Sequence, residues 1–174
     1  MKYFYCPSCN NIYTSKLDGG LHTKDDNLKY DIFCYYKCEC GSDAVEIDKG
    51  LLTIIKNINT MKLKTAFCCE GHLKIVEKKI VTYSPAYIAF DNTNIELLTK
   101  LIKKYPLPKG WYLDKNNNPC IEYDVEPIIS IRYEMAEDYE KLTEEEFEQQ
   151  KQEYINDLAN WVDNLINEES DTFE

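Results

Sequence analysis

The strongest constraint on this chain is a pair of short cysteine motifs near its start. Cys6-Pro7-Ser8-Cys9 is answered by Cys38-Glu39-Cys40-Gly41. In a C-x-x-C turn both sulfurs can reach one ion, and two such knuckles supply the four soft ligands that a structural zinc takes in a tetrahedron. Pro7 presets the backbone at the first turn position. Gly41 permits the positive φ that such turns often need. The spacing of Cys38 and Cys40 is tight, and Cys34 lies close enough to compete, so three cysteines contend for two positions. Gly41 completes the knuckle on the side of Cys38 and Cys40, which predicts Cys6, Cys9, Cys38 and Cys40 as ligands of Zn2+. The bland alternative is free or disulfide-bonded thiols, which a small secreted protein would use. Met1-Lys2-Tyr3 leads straight into the first knuckle without a leader, which favours reduced cysteines and a cytoplasmic location. The loop between the knuckles is polar, so metal binding would supply folding energy that a local core cannot.

The chain of 174 residues suits one main domain with a small module attached. The expected division is a zinc-ribbon module at 1–47, an α+β domain at 48–135, and an acidic C-terminal helix and tail at 136–174. After the ribbon, Ala44 to Ile47 reads as a closing strand. Asp48 is expected to cap a helix from Lys49 to Thr60 with Leu51, Leu52, Ile54, Ile55 and Ile58 on its apolar face. Lys62 to Cys69 reads as a buried strand, Leu73 to Tyr83 as a lysine-rich strand or hairpin, and Ala86 to Phe90 as a further strand. Asn94 is placed as the cap of a second helix, Ile95 to Tyr105. Trp111 to Leu113 and Cys120 to Tyr123 flank an asparagine-rich turn, and Pro127 opens a strand from Ile128 to Tyr133. The fold class is α+β: helices on an antiparallel or mixed sheet.

The last helix carries the clearest local signature. Thr143-Glu144-Glu145-Glu146 is a capping box, with Leu142 and Phe147 at the staple positions. Phe147, Tyr154, Leu158, Trp161 and Leu165 form one stripe, widened by Ile155, Val162 and Ile166. Such a stripe either packs on the chain's own sheet or protrudes toward a partner. The segment from Asn167 to Glu174 reads as a disordered tail.

Charge is divided unevenly. Residues 1–110 carry 16 basic and 12 acidic residues, while 111–174 carry 4 basic and 19 acidic. An acidic C-terminal third should repel nucleic acid and attract basic protein surfaces, although acidic runs are also common as plain solvated faces. Arg132 is the single arginine. Arginine is the usual residue for bidentate phosphate and guanine contacts, so direct nucleic-acid binding is not expected. No apolar run approaches the roughly 18 residues of a membrane span.

A second motif, Thr65-Ala66-Phe67-Cys68-Cys69-Glu70-Gly71-His72, places two thiols and an imidazole at a strand end. Three readings compete: buried inert thiols beside a glycine turn; a second metal site from Cys68, Cys69 and His72, completed by Cys120 or Cys34; or a thiol nucleophile, Cys69 activated by His72. The stretch from Asp48 to His72 resembles the Ser-Cys-Ser-Gly-Arg segment of the tRNA wybutosine-synthesis methyltransferase family. Cys68 and Glu70 stand where that segment has serines, and His72 where it has arginine.

As a whole, residues 1 to about 90 are similar to small phage and prophage zinc-ribbon proteins, with a Tyr-x-Cys-Pro-x-Cys ribbon and a Thr-x-x-Cys-Cys-x-Gly-His turn. Metal-containing anti-CRISPR inhibitors are similar in size and acidity. That resemblance implies a non-enzymatic viral inhibitor or adaptor acting in the host cytoplasm on a basic type II RNA-guided nuclease. Its contact residues would be Glu137, Asp138, Glu140, Glu144, Glu145, Glu148 and Glu153. The alternative is a metal- or thiol-dependent enzyme acting on nucleic acid or nucleotides through Cys69 and His72.

Overall fold

The computed structural model describes residues 2–15, 35–76, 79–90, 95–115, 129–135 and 139–169. The fold is α+β, and every strand pairing among the described residues is antiparallel.

The N-terminal sheet contains β1 (Lys2–Tyr5), β2 (Ile12–Ser15), β3 (Tyr35–Lys37) and β4 (Asp43–Ile47), in the order β2-β1-β4-β3. The period of two along β1 sends Phe4 toward a small cluster with Cys6, Cys38 and Ala44, and Tyr5 into the main core. The second sheet has the order β5-β8-β10-β9, formed by β5 (Thr65–Cys69), β8 (Tyr87–Phe90), β10 (Ile129–Tyr133) and β9 (Trp111–Asp114). Between β5 and β8 in the chain, β6 (His72–Val76) and β7 (Lys79–Ser84) make a separate hairpin.

Among the described residues three α-helices contribute side chains to the main core. A 3-10 turn at Lys49–Leu51 leads into α1 (Leu52–Thr60), which buries Ile54, Ile55 and Ile58. α2 spans Ile95–Lys104 and buries Leu98 and Leu101. α3 runs from Glu144 to Glu169, with Phe147, Tyr154, Ile155, Leu158, Trp161, Val162 and Leu165 buried. The apolar stripe of α3 is therefore packed and does not protrude. Two indole N–H groups fix its docking: Trp111 donates to the Tyr154 carbonyl at 3.1 Å, and Trp161 donates to the Tyr105 carbonyl at 3.0 Å. Buried indoles need such partners, which makes the position of α3 specific as well as apolar.

The capping box at the start of α3 is formed as expected. Thr143 N–H donates to Glu146 at 2.8 Å, and Glu146 N–H donates to the Thr143 hydroxyl at 3.2 Å. Other boundaries move. Asp48 makes no capping bond to the first turn after it; its carboxylate is taken by Glu70 and His72 instead. The strand expected from Lys62 begins at Thr65, because Lys62 adopts φ 62 and closes α1 with its N–H on the Asn59 carbonyl. α2 stops at Lys104 and α3 continues through Glu169, three residues into the expected tail. Asn94, the strand at Cys120 to Tyr123 and the Pro127 strand start lie outside the described residues.

The single arginine is used internally. Arg132 Nε lies 3.2 Å from Asp114 and 3.2 Å from the Ser130 hydroxyl, and its guanidinium sits over the Tyr87 ring. Its side chain is 10% exposed and that of Asp114 13%, so the pair is held away from solvent. Removing one member of a buried pair leaves an uncompensated charge, typically at a cost of about 3–5 kcal/mol. Arg132→Ala should therefore lower stability by about that amount in chemical denaturation. Thr143→Ala should cost about 1 kcal/mol by loss of the α3 cap.

Candidate functional site

Two side-chain clusters with metal-ligand chemistry stand out among the described residues, and both involve cysteines singled out by spacing. The first contains Cys6, Cys9, Cys38 and Cys40, whose sulfurs all lie within 4.8 Å of one another. β1 delivers Cys6, and the turn before β4 delivers Cys38 and Cys40. The sulfurs face each other across the knuckles, Cys6 to Cys40 at 3.6 Å and Cys9 to Cys38 at 3.4 Å. Tetrahedral zinc–thiolate bonds of roughly 2.3 Å would set the sulfurs about 3.8 Å apart. The grouping of the four cysteines is therefore compatible with a metal site. Cys34 lies outside the described residues.

Both knuckles close in the same way. Asn10 N–H donates to the Cys6 carbonyl and Gly41 N–H to the Cys38 carbonyl, each at 2.9 Å. The residue after each second cysteine is left-handed, Asn10 at φ 61 and Gly41 at φ 89. Asparagine is among the few non-glycine residues that adopt this region readily, and the Tyr5 hydroxyl donates to its side-chain oxygen. The role of Asn10 was readable from its place directly after Cys9, since it matches Gly41 after Cys40. The surroundings divide the protons unequally. The Ser42 backbone N–H, followed by the Cys38 thiol, holds Cys40 down at about 6. Burial pushes Cys6 up. Such a set gains most from a cation that replaces the remaining protons.

The second cluster is Asp48, Cys69 and His72, again within 4.8 Å of one another. Cys69 and His72 were expected together; Asp48 was not, because its sequence context reads as a helix cap. Cys68 does not join them. Strand alternation turns it toward the main core, where burial pushes its thiol up to about 12. Cys120 lies outside the described residues.

The turn between Cys69 and His72 is fixed from several sides. Gly71 has φ 89, and a Cβ there would stand 2.5 Å from the Tyr154 hydroxyl. That hydroxyl donates to the Glu70 carbonyl at 2.7 Å. The Glu70 carboxylate accepts from Gly50 N–H at 2.8 Å and pairs with Lys151 at 3.4 Å. Asp48 accepts from Glu70 N–H at 2.9 Å and meets His72 Nε2 at 3.1 Å. The hydrogen bond to Asp48, and next the Cys69 thiol, push the His72 imidazole up to about 10.

A third feature is a groove of about 520 Å³ between α3 and the segments 109–110 and 133–135. Glu134, Glu153 and Asp157 line it, with Lys109 and Gln150 also present. Its wall is the Tyr133–Tyr154 ring pair, stacked at 4.1 Å. Of the expected contact residues, Glu144, Glu145, Glu148 and Glu153 are exposed on α3, and Glu153 alone of these lines the groove. Glu137, Asp138 and the side chain of Glu140 lie outside the described part. Among the described residues no helix is long and apolar enough to cross a membrane.

No protein-family model, curated protein or solved structure matches this chain.

Cys38→Ser should lower the thermal midpoint and shrink any further drop caused by a strong chelator, because the variant has lost the four-sulfur site. Acidification should have the same effect as chelation on the wild type, since protons compete with metal for the sulfurs. Melting curves with and without chelator check both outcomes.

Proposed function

We propose that this chain is a zinc-stabilised binding protein that works without catalysis, by gripping a basic segment of another protein. Zinc is the fitting ion for four thiolates in tetrahedral array, and in this reading the N-terminal sheet is a zinc ribbon that holds the fold. The observation that carries the binding role is the groove beside α3. Three carboxylates line it and two stacked tyrosine rings wall it. Carboxylates attract lysine and arginine, and aromatic faces add a cation–π contribution to the same side chains. The partner class implied by the sequence resemblance is a type II RNA-guided nuclease, whose nucleic-acid-binding channel is strongly basic. Occupying such a surface would inhibit the nuclease by contact alone.

Calorimetric titration with a lysine- and arginine-rich peptide tests the groove, and a cleavage assay with a reconstituted type II nuclease tests the partner. Glu153→Lys with Asp157→Lys should weaken peptide binding about tenfold or more, since placing like charges across an interface costs several kcal/mol. Cys69→Ala should bind as the wild type does. Undiminished binding by the charge-reversed protein would overturn the proposal.

A second reading, an enzyme acting on nucleic acid or nucleotides through Cys69 and His72, is favoured by Asp48 standing beside them as a third polar group. It gives the opposite pattern, with activity lost in Cys69→Ala and retained after charge reversal.

A further inference from the structure

We infer that Asp48, Cys69 and His72 form a second metal centre, separate from the four cysteines, which takes a borderline divalent cation such as Zn2+ through three protein ligands. The inference does not depend on what the acidic groove binds.

Three chemically different donors converge here: a carboxylate oxygen, a sulfur and a ring nitrogen, all within 4.8 Å. In a Cys–His–Asp catalytic relay the sulfur and the carboxylate lie on opposite edges of the imidazole, each serving a different nitrogen. Here the sulfur and carboxylate are close to each other as well as to the ring, as expected of groups surrounding one ion. Zinc bonds of roughly 2.0 Å to nitrogen and oxygen would set those two atoms about 3.3 Å apart. The observed His72–Asp48 separation is 3.1 Å.

The supporting contacts also suit a metal site. Ligands bind well when neighbouring groups fix their orientation. Asp48 is held by the Glu70 N–H, and Cys69 Sγ accepts from the Gly71 N–H at 3.4 Å. The Glu70 carboxylate is occupied by Gly50 and Lys151, so it stays out of the ligand set. The turn itself is seated on Tyr154 of α3. The His72 side chain is 52% exposed, which leaves solvent access to the fourth position. Three protein ligands with one accessible position leave room for water as the fourth ligand of a tetrahedral ion.

Zinc per chain, measured on the full-length reduced protein titrated with zinc alone, tests the assignment. The wild type should take up two equivalents. Asp48→Asn keeps the shape of the side chain and should weaken one equivalent by more than the roughly 10- to 100-fold that loss of a supporting contact costs. Cys69→Ser should remove the same equivalent, and Cys9→Ser should affect the other. Circular dichroism of each variant verifies folding; if Cys69→Ser does not fold, Asp48→Asn and the wild-type stoichiometry decide. A single equivalent in the wild type, or two that are unchanged by Asp48→Asn, would overturn the assignment and leave Asp48 and His72 as an ion pair only.

Discussion

Four sulfurs gathered within 4.8 Å of one another are the constraint on which the N-terminal sheet depends. At 3.4 and 3.6 Å the facing sulfurs are in contact, and as thiolates they would repel. Among the described residues the surrounding apolar material is slight: Phe4 and Ala44 are the buried residues clustered with Cys6 and Cys38, with Cys9 and Tyr13 against them. A group that small contributes little hydrophobic stabilisation compared with the main core. A cation bridging the two knuckles would supply the missing term and join β1 to the turn before β4. Tyr5 then carries that order inward, since it is fully buried in the cluster that also holds Leu51, Ile88 and Leu158.

α3 performs a comparable service for the Cys69–His72 turn. Its apolar face is used up in the core, yet its polar atoms also shape the Cys69–His72 turn. The Tyr154 hydroxyl holds the Glu70 carbonyl, and Lys151 neutralises the Glu70 carboxylate. The same Tyr154 ring stacks on Tyr133 at the acidic groove. One residue therefore links helix docking, the second ligand cluster and the groove, so a change that tilts α3 would be felt at both sites.

Much of this was legible from residue spacing. Cys6, Cys9, Cys38 and Cys40 were identifiable because metal geometry dictates local spacing, and the α3 capping box because its bonds span only three residues. Asp48 shows the limit. Asp followed by an apolar helical pattern reads as a cap, but its carboxylate meets Glu70 and His72, 22 and 24 residues away. Only tertiary structure brings those groups together. Lys62 misled for the reverse reason: Lys-Leu-Lys-Thr alternates like a strand, whereas the end of α1 requires a left-handed residue there. The joining of Glu134, Glu153 and Asp157 in one groove likewise depends on the docking of α3, which no local pattern encodes.

The most direct test of the central claim is cobalt(II) substitution of the reduced protein, followed by its visible and near-ultraviolet absorption. A four-cysteine metal site should give intense sulfur-to-cobalt charge transfer with the d–d bands of a tetrahedral tetrathiolate, lost when Cys6 or Cys38 is replaced by serine. Weak octahedral absorption, or a spectrum unchanged by those substitutions, would contradict it and remove the metal from the centre of this fold.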